Sequence, residues 1–201
     1  MLDARLRPLI DPPLNAMGRG IAMVGITANG VTILGVLIGI AAGYAIAQQA
    51  YGWGLALVLA NRILDGLDGA VARASGISDF GGYLDIVADF VFYVSVPIGF
   101  GFAAVDNQWP ALVLIASFTL TGVSFLAFAT IAGKRGEETR EHGKKSFFYS
   151  TGLAEGTETI IVFILMCLMP EHFAILAFAY SGLCGLTVLQ RTWLARTSFR
   201  D

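Results

Sequence analysis

The chain has 201 residues, of which 56% are hydrophobic and only 14% charged, with a mean hydropathy of +0.70. A soluble globular domain carries about 25% charged residues, so this composition excludes one and points to a membrane protein. The formal net charge of −2 singles out no partner, and no nucleic-acid partner is expected.

In chain order, the first 25 or so residues hold Arg5, Arg7 and Arg19 among Leu, Ile and Met, interrupted by Asp11-Pro12-Pro13. A signal peptide needs an unbroken apolar core and a small-residue cleavage site, and neither is present; a partly helical segment lying on the headgroups fits better. Apolar runs able to cross about 30 Å of hydrocarbon then recur to the end. Six spans are expected, at about 29–48, 53–73, 80–104, 110–133, 152–169 and 173–194. The expected fold is therefore all-α: a six-transmembrane-helix bundle preceded by an N-terminal interfacial amphipathic segment, forming one domain over 1–201.

In the first span Gly35, Gly39 and Gly43 recur every fourth residue, a smooth face for helix packing within the protomer or across a dimer. Trp53 and Trp109 near span ends suit the interfacial belt. Cys167 and Cys184 read as packing residues, and His142 and His172 as loop residues. The positive charges set the orientation. Arg5, Arg7 and Arg19 precede span 1 and Arg73 ends span 2. Lys134, Arg135, Arg140, Lys144 and Lys145 fill the loop after span 4, and Arg191, Arg196 and Arg200 close the chain. The opposite loops carry only Asp106 and Glu171, so both termini are expected on the cytoplasmic side of the membrane.

Four carboxylates interrupt this pattern. They read D65-x-x-D68-G69-x-x-A72-R73, then, after seven residues, G81-x-x-x-D85-x-x-x-D89. An ionised carboxylate in a bilayer costs a few kcal/mol or more, so each is a functional hypothesis by default. Spacings of three and four place Asp65, Asp68, Gly69 and Ala72 on one helix face, and Gly81, Asp85 and Asp89 on another. At about 1.5 Å per residue, Asp68 and Asp85 lie roughly 8 Å below the cytoplasmic end, and Asp65 and Asp89 roughly 12–15 Å below it. Two facing pairs of carboxylates suit hard divalent cations: Mg²⁺ or Mn²⁺, and a pair of ions clamping a phosphate group uses all four. Gly69 and Ala72 leave room for an extended ligand, or for close helix approach.

The run from Asp65 to Asp89 resembles the signature of the CDP-alcohol phosphatidyltransferases, with every fixed position filled, and looks closest to a bacterial inner-membrane branch of that family. The resemblance implies transfer of a phosphatidyl or related group from a CDP-linked lipid donor, such as CDP-diacylglycerol, to an acceptor hydroxyl, with release of CMP. It implies Asp65, Asp68 and Asp85 as metal ligands, and Asp89 as ligand and general base. Asp65, Gly69, Ala72, Arg73 and Gly81 are implied along the donor nucleotide, and the family's Pro-Asn-x-x-Thr feature near the cytidine reads Ala28-Asn29-Gly30-Val31-Thr32 here, keeping Asn29 and Thr32. A homodimer is implied as well. The acceptor alcohol is not specified by these residues.

The remaining polar residues carry two readings each. Lys134, Arg135, Lys144 and Lys145 are either topology signals on anionic lipid or a phosphate-binding patch. Glu155 and Glu158, just inside span 5, and Arg191 on span 6 are either an acceptor site or a structural ion pair. Arg62 sits one turn below Asp65 as an i, i+3 partner. The competing class is a divalent-cation transporter or channel, since intramembrane carboxylates also mark ion pathways.

Overall fold

The computed structural model describes the backbone of residues 3–135 and 152–199, and side chains from Ile10 onward. Arg5, Arg7, Arg140, His142, Lys144, Lys145 and Arg200 lie outside what it describes in side-chain detail. The described residues form helices without strands: α1 (Asp3–Met23), α2 (Ala28–Ala47), α3 (Tyr51–Ser75), α4 (Asp79–Ala103), α5 (Gln108–Lys134), α6 (Gly156–Leu168) and α7 (Phe173–Ser198). Short 3₁₀ turns at Val105–Asn107 and Pro170–His172 lead into α5 and α7.

Helices α2 and α4, and α5 and α7 with the turns that precede them, are long and apolar enough to cross a membrane, which makes this an integral membrane protein. The other two expected spans correspond to α3 and α6. Helix α3 has the length but carries Arg62, Asp65, Asp68 and Arg73 along it. Helix α6 has 13 residues, about 20 Å of rise. It begins four residues later than expected because the backbone N–H groups before it are taken by side chains. Gly152 donates to Glu155 Oε1 at 3.0 Å, and Leu153 and Ala154 donate to Thr187 Oγ1 at 3.1 and 2.9 Å. Glu155 is therefore the residue that caps α6 and not, as its sequence position suggests, one inside it.

Two layers of packing position the rest. The larger core is aromatic: Phe92 meets Phe163 edge to face, and Phe100 stacks on Phe173 with centroids 4.4 Å apart. Rings of this size dominate the burial that holds α4, α6 and α7 together. A smaller core of Val31, Leu67 and Val71, with Leu14 and Ile21 against it, seats α1 on α2 and α3. Here Gly18 faces the backbone of Ala70, and a Cβ on Gly18 would come within 2.6 Å of the alanine methyl.

The glycine stripe of α2 works inside the protomer. Gly43 lies against the carbonyl of Ser95, and Gly99 against the carbonyl of Gly43, so α2 and α4 touch backbone to backbone. Cys167 and Cys184 are buried free thiols in the core, and His172 pairs with Glu171 at 3.2 Å at the far end of the bundle.

Candidate active site

The cleft between α2, α3 and α4 is made by their ends. Thr27 caps α2 by accepting from Gly30 N at 3.2 Å, and Ser78 caps α4 by accepting from Gly81 N at 3.0 Å. Between α3 and α4 the chain turns at Gly76, whose φ of 118° lies in the region that only glycine enters without strain. That reversal sets the Asp65–Ala72 stripe of α3 facing the Gly81–Asp89 stripe of α4. The result is a cavity of about 340 Å³ lined by Asn29 and Thr32 from α2, Asp68 and Arg73 from α3, and Asp85 from α4.

Gly69, Ala72 and Gly81 also line it. Each omits bulk at a particular place. A Cβ on Gly69 would lie 3.2 Å from Arg73 Nη1, and one on Gly81 would lie 3.0 Å from Ser78 Oγ and 3.3 Å from Asn29 Oδ1. The guanidinium of Arg73 is steadied from α1, where Asn15 Oδ1 accepts from its Nε at 3.0 Å. Asp68 is buried, and its Oδ2 accepts from Thr32 Oγ1 at 2.7 Å.

Asp65 and Asp89 are not part of this cavity. They lie deeper, where Arg62 joins them: its Nη1 is 3.0 Å from Asp89 Oδ1 and 3.6 Å from Asp65 Oδ2. The shorter contact crosses from α3 to α4, whereas spacing alone offered only the one to Asp65. The pairing by depth, Asp68 with Asp85 and Asp65 with Asp89, is thus visible in the geometry. Four carboxylates on two facing helices form an oxygen-only donor set whose chemistry fits a hard divalent cation. As the side chains stand, no three acidic, histidine or cysteine side chains among the described residues converge as a metal cage. Asp68 is engaged by Thr32 and Asp89 by Arg62.

On the other side of α4, Asp89 lines a second cavity of about 320 Å³, walled by α5, α6 and α7. Its polar lining is Thr121, Glu155, Thr159, Tyr180 and Arg191, set among Phe90, Tyr93, Phe118 and Phe125. Thr159 Oγ1 and Tyr180 Oη are 2.6 Å apart, and Arg191 Nη1 donates to the Thr121 carbonyl at 2.8 Å. Glu158, in the first turn of α6, is outside this lining. Lys134 and Arg135 end α5, where the Arg135 guanidinium lies 5.5 Å from the centre of the Phe199 ring.

Sequence reasoning missed Asn15, Asn61, Thr121, Thr159 and Tyr180. For Asn61 a signal existed, because it falls one turn before Asp65 on the same stripe of α3. The others come together only through packing of distant helices.

The molecule is thus an all-helical membrane protein with a carboxylate-lined cleft at one end of its bundle. Residues 25–194 match the family model described as CDP-alcohol phosphatidyltransferase, and the chain belongs to that family of phospholipid-biosynthesis transferases. It is 45% identical over 197 residues to the inner membrane protein YnjF of Escherichia coli, covering 96% of this chain and 94% of the relative. It is 29% identical over 194 residues to an archaetidylinositol phosphate synthase of Pyrococcus horikoshii, with 96% of each chain covered. The fold is similar to that of the phosphatidylinositol phosphate synthase PgsA1 of Mycobacterium tuberculosis. The complex of that protein with manganese and citrate gives a TM-score of 0.70 at 22% identity, covering 89% of this chain and 87% of the other. Its CDP-DAG-bound form gives 0.67 at 20% identity, covering 89% and 91%. A transferase family spanning most of the chain leaves the cation-transporter reading without support.

Proposed function

We propose that the protein transfers a phosphatidyl group from CDP-diacylglycerol or a similar CDP-linked lipid to a small alcohol, releasing CMP, in a reaction that needs a divalent cation. The observation that carries this is the first cavity. It gathers Asn29, Thr32, Asp68, Gly69, Ala72, Arg73, Gly81 and Asp85, from three helices, around one space of about 340 Å³. That space suits a nucleotide and its phosphates at the membrane edge, with acyl chains left among the helices. The manganese and CDP-DAG bound by the structural neighbour support the same assignment.

Each residue then has a task. Asn29 and Thr32 supply polar contacts at the nucleotide end, and Gly69 and Ala72 let the donor approach the backbone. Arg73 neutralises phosphate charge, as a guanidinium does well. Asp65, Asp68, Asp85 and Asp89 would hold Mg²⁺ or Mn²⁺, two ions in the full arrangement, which when bound would supply positive charge to offset that on the phosphates and the leaving CMP. Asp89, lining the second cavity as well, takes the proton of the acceptor hydroxyl as its oxygen bonds to phosphorus and the bond to CMP breaks. The second cavity is the acceptor's, with Glu155 and Arg191 among its polar contacts. Lys134 and Arg135 stand nearer the membrane surface for phosphate-bearing groups, a role the sequence also offers to Lys144 and Lys145.

In this reading six helices cross the bilayer, α1 lies along the headgroups, and the termini and the cleft face the cytoplasm. The protomers pair as a homodimer, as the family resemblance implies. Purified protein is incubated with CDP-diacylglycerol, Mn²⁺ and a panel of alcohols, and CMP is measured. CMP release that stops with EDTA and returns with Mg²⁺ or Mn²⁺ is expected; no release with any alcohol overturns the assignment. A cysteine placed at Arg135 is expected to react with an impermeant maleimide only once the cytoplasmic side is opened.

A further inference from the structure

Arg62 is held more firmly than an ion pair requires. Its Nε and Nη2 both donate to Asn61 Oδ1, at 2.8 and 2.5 Å. Asn61 is in turn anchored to α2, where its Nδ2 donates to the Gly35 carbonyl at 2.8 Å. The guanidinium lies 4.1 Å from the centre of the Phe92 ring, a cation–π contact from α4. Gly39 makes this stack possible, because a Cβ there would lie 3.2 Å from both Asn61 Nδ2 and the Phe92 ring. Three helices therefore converge on one cation.

With Nε and Nη2 occupied and one face on an aromatic ring, Nη1 is left to reach Asp89 at 3.0 Å and Asp65 at 3.6 Å. The order of exposure is informative. The Arg62 side chain is 16% exposed, while those of Asp89 and Asp65 are 32% and 37% exposed. The cation sits behind the carboxylates, and the carboxylates face outward. A niche of about 10 Å³ between Asn61, Arg62, Asp65 and Asp68 leaves space on the order of a single water. An arginine needed only to cancel buried charge would not have to be fixed from behind.

We propose that Arg62 is a built-in counter-cation of the deep carboxylate pair and the positioning residue for Asp89. Its Nη1, fixed by the grip of Nε and Nη2 on Asn61, holds Asp89 Oδ1, leaving Oδ2 to meet the acceptor hydroxyl. Its charge offsets part of the negative potential of Asp65 and Asp89, so it lowers the site's pull on divalent cations while keeping the pair ordered. This rests on the transferase reading above, with Asp89 as the proton acceptor.

The two roles separate by substitution, because charge acts at a distance while the fork acts by shape. Mn²⁺ affinity is measured by calorimetry, turnover by CMP release and folding by thermal midpoint, for the wild type, Arg62→Gln and Arg62→Lys. Arg62→Gln is expected to bind Mn²⁺ more tightly, by about fivefold, and yet to lose turnover by about a hundredfold. Arg62→Lys keeps the charge without the fork: Mn²⁺ affinity within about twofold of the wild type is expected, with turnover down by about tenfold. Arg62→Gln binding Mn²⁺ no more tightly than the wild type overturns the counter-cation role, and wild-type turnover in either variant overturns the positioning role. If Arg62→Gln does not fold, Arg62→Met, which removes the charge but keeps a long stem to pack against Phe92, takes its place with the same expectations on the same measurements. A wild type that neither binds Mn²⁺ nor releases CMP is a failure of the transferase reading instead.

Discussion

The two cavities on either side of α4 are built from opposite materials. The one between α2, α3 and α4 is shaped by what is absent: Gly69, Ala72 and Gly81 bring backbone to the edge of the space, and the turn at Gly76 closes it. The one between α4, α5, α6 and α7 is shaped by what is present, above all Phe90, Tyr93, Phe118, Tyr180 and Arg191. A space bounded by backbone tolerates little alteration, whereas a space bounded by side chains is resized by substitution at single positions. In the proposed reaction the first arrangement is the CDP-linked donor's and the second the acceptor alcohol's. Asp85 and Asp89, one turn apart on α4, belong to different cavities and mark the seam.

The largest expected effect lies at the first cavity. Asp68→Asn or Asp85→Asn should all but abolish CMP release, by at least ~500-fold, with the thermal midpoint nearly unchanged, since an amide is a poor ligand for Mg²⁺ or Mn²⁺. Retention of more than a few per cent of turnover in either variant would remove these residues from the metal site.

Asp89→Asn should cost about a hundredfold in turnover while donor affinity, by calorimetry, stays within about threefold. Asp65→Asn should instead weaken Mn²⁺ and donor binding together. Equal loss of donor affinity in both variants would make Asp89 chiefly a ligand and erase the seam.

Filling the two spaces tests the comparison most directly. Gly69→Val pushes on Arg73 Nη1, only 3.2 Å from the new Cβ. It should raise the donor KM about tenfold and leave the acceptor KM alone. Gly122, on α5, lies under the ring of Phe90, and an added methyl overlaps that ring. Gly122→Ala should therefore tilt Phe90 into the second cavity and change the acceptor KM by about threefold, the smallest of these effects. A donor effect from Gly122→Ala, or an acceptor effect from Gly69→Val, would show that the cavities do not divide the substrates.

How much of this was legible before the fold depended on the range of the interaction. Helical spacing was enough to put Asp65 with Asp68 and Asp85 with Asp89, because neighbours at three and four residues are fixed by the helix itself. Hydropathy located α2 to α7 within about four residues, but misplaced the start of α6, where Thr187 on α7 captures two amides that no local pattern reveals. Arg62 read as a partner of Asp65 on the same helix, while its shorter contact is to Asp89 on the next. The stripe of Gly35, Gly39 and Gly43 read as a packing surface. That was correct in kind, but Gly39 also makes room for a side-chain stack that supports a guanidinium. The second cavity was foreshadowed by Glu155 and Arg191 alone, since Thr121, Thr159 and Tyr180 look like ordinary helix residues until α5, α6 and α7 are packed.

The contiguity of the first cavity has a consequence for how the protein is made. Its lining runs from Thr27 to Asp85, and α2 to α4 follow one another without a break. Everything the first cavity requires has therefore been synthesised before α5 is begun. The second cavity draws on α4 and on every helix after it. During synthesis from the N-terminal end, the carboxylate cleft is the half of the site that can assemble first, from contacts close in sequence. Asp89 gains its second set of walls only as the last helix enters the bilayer.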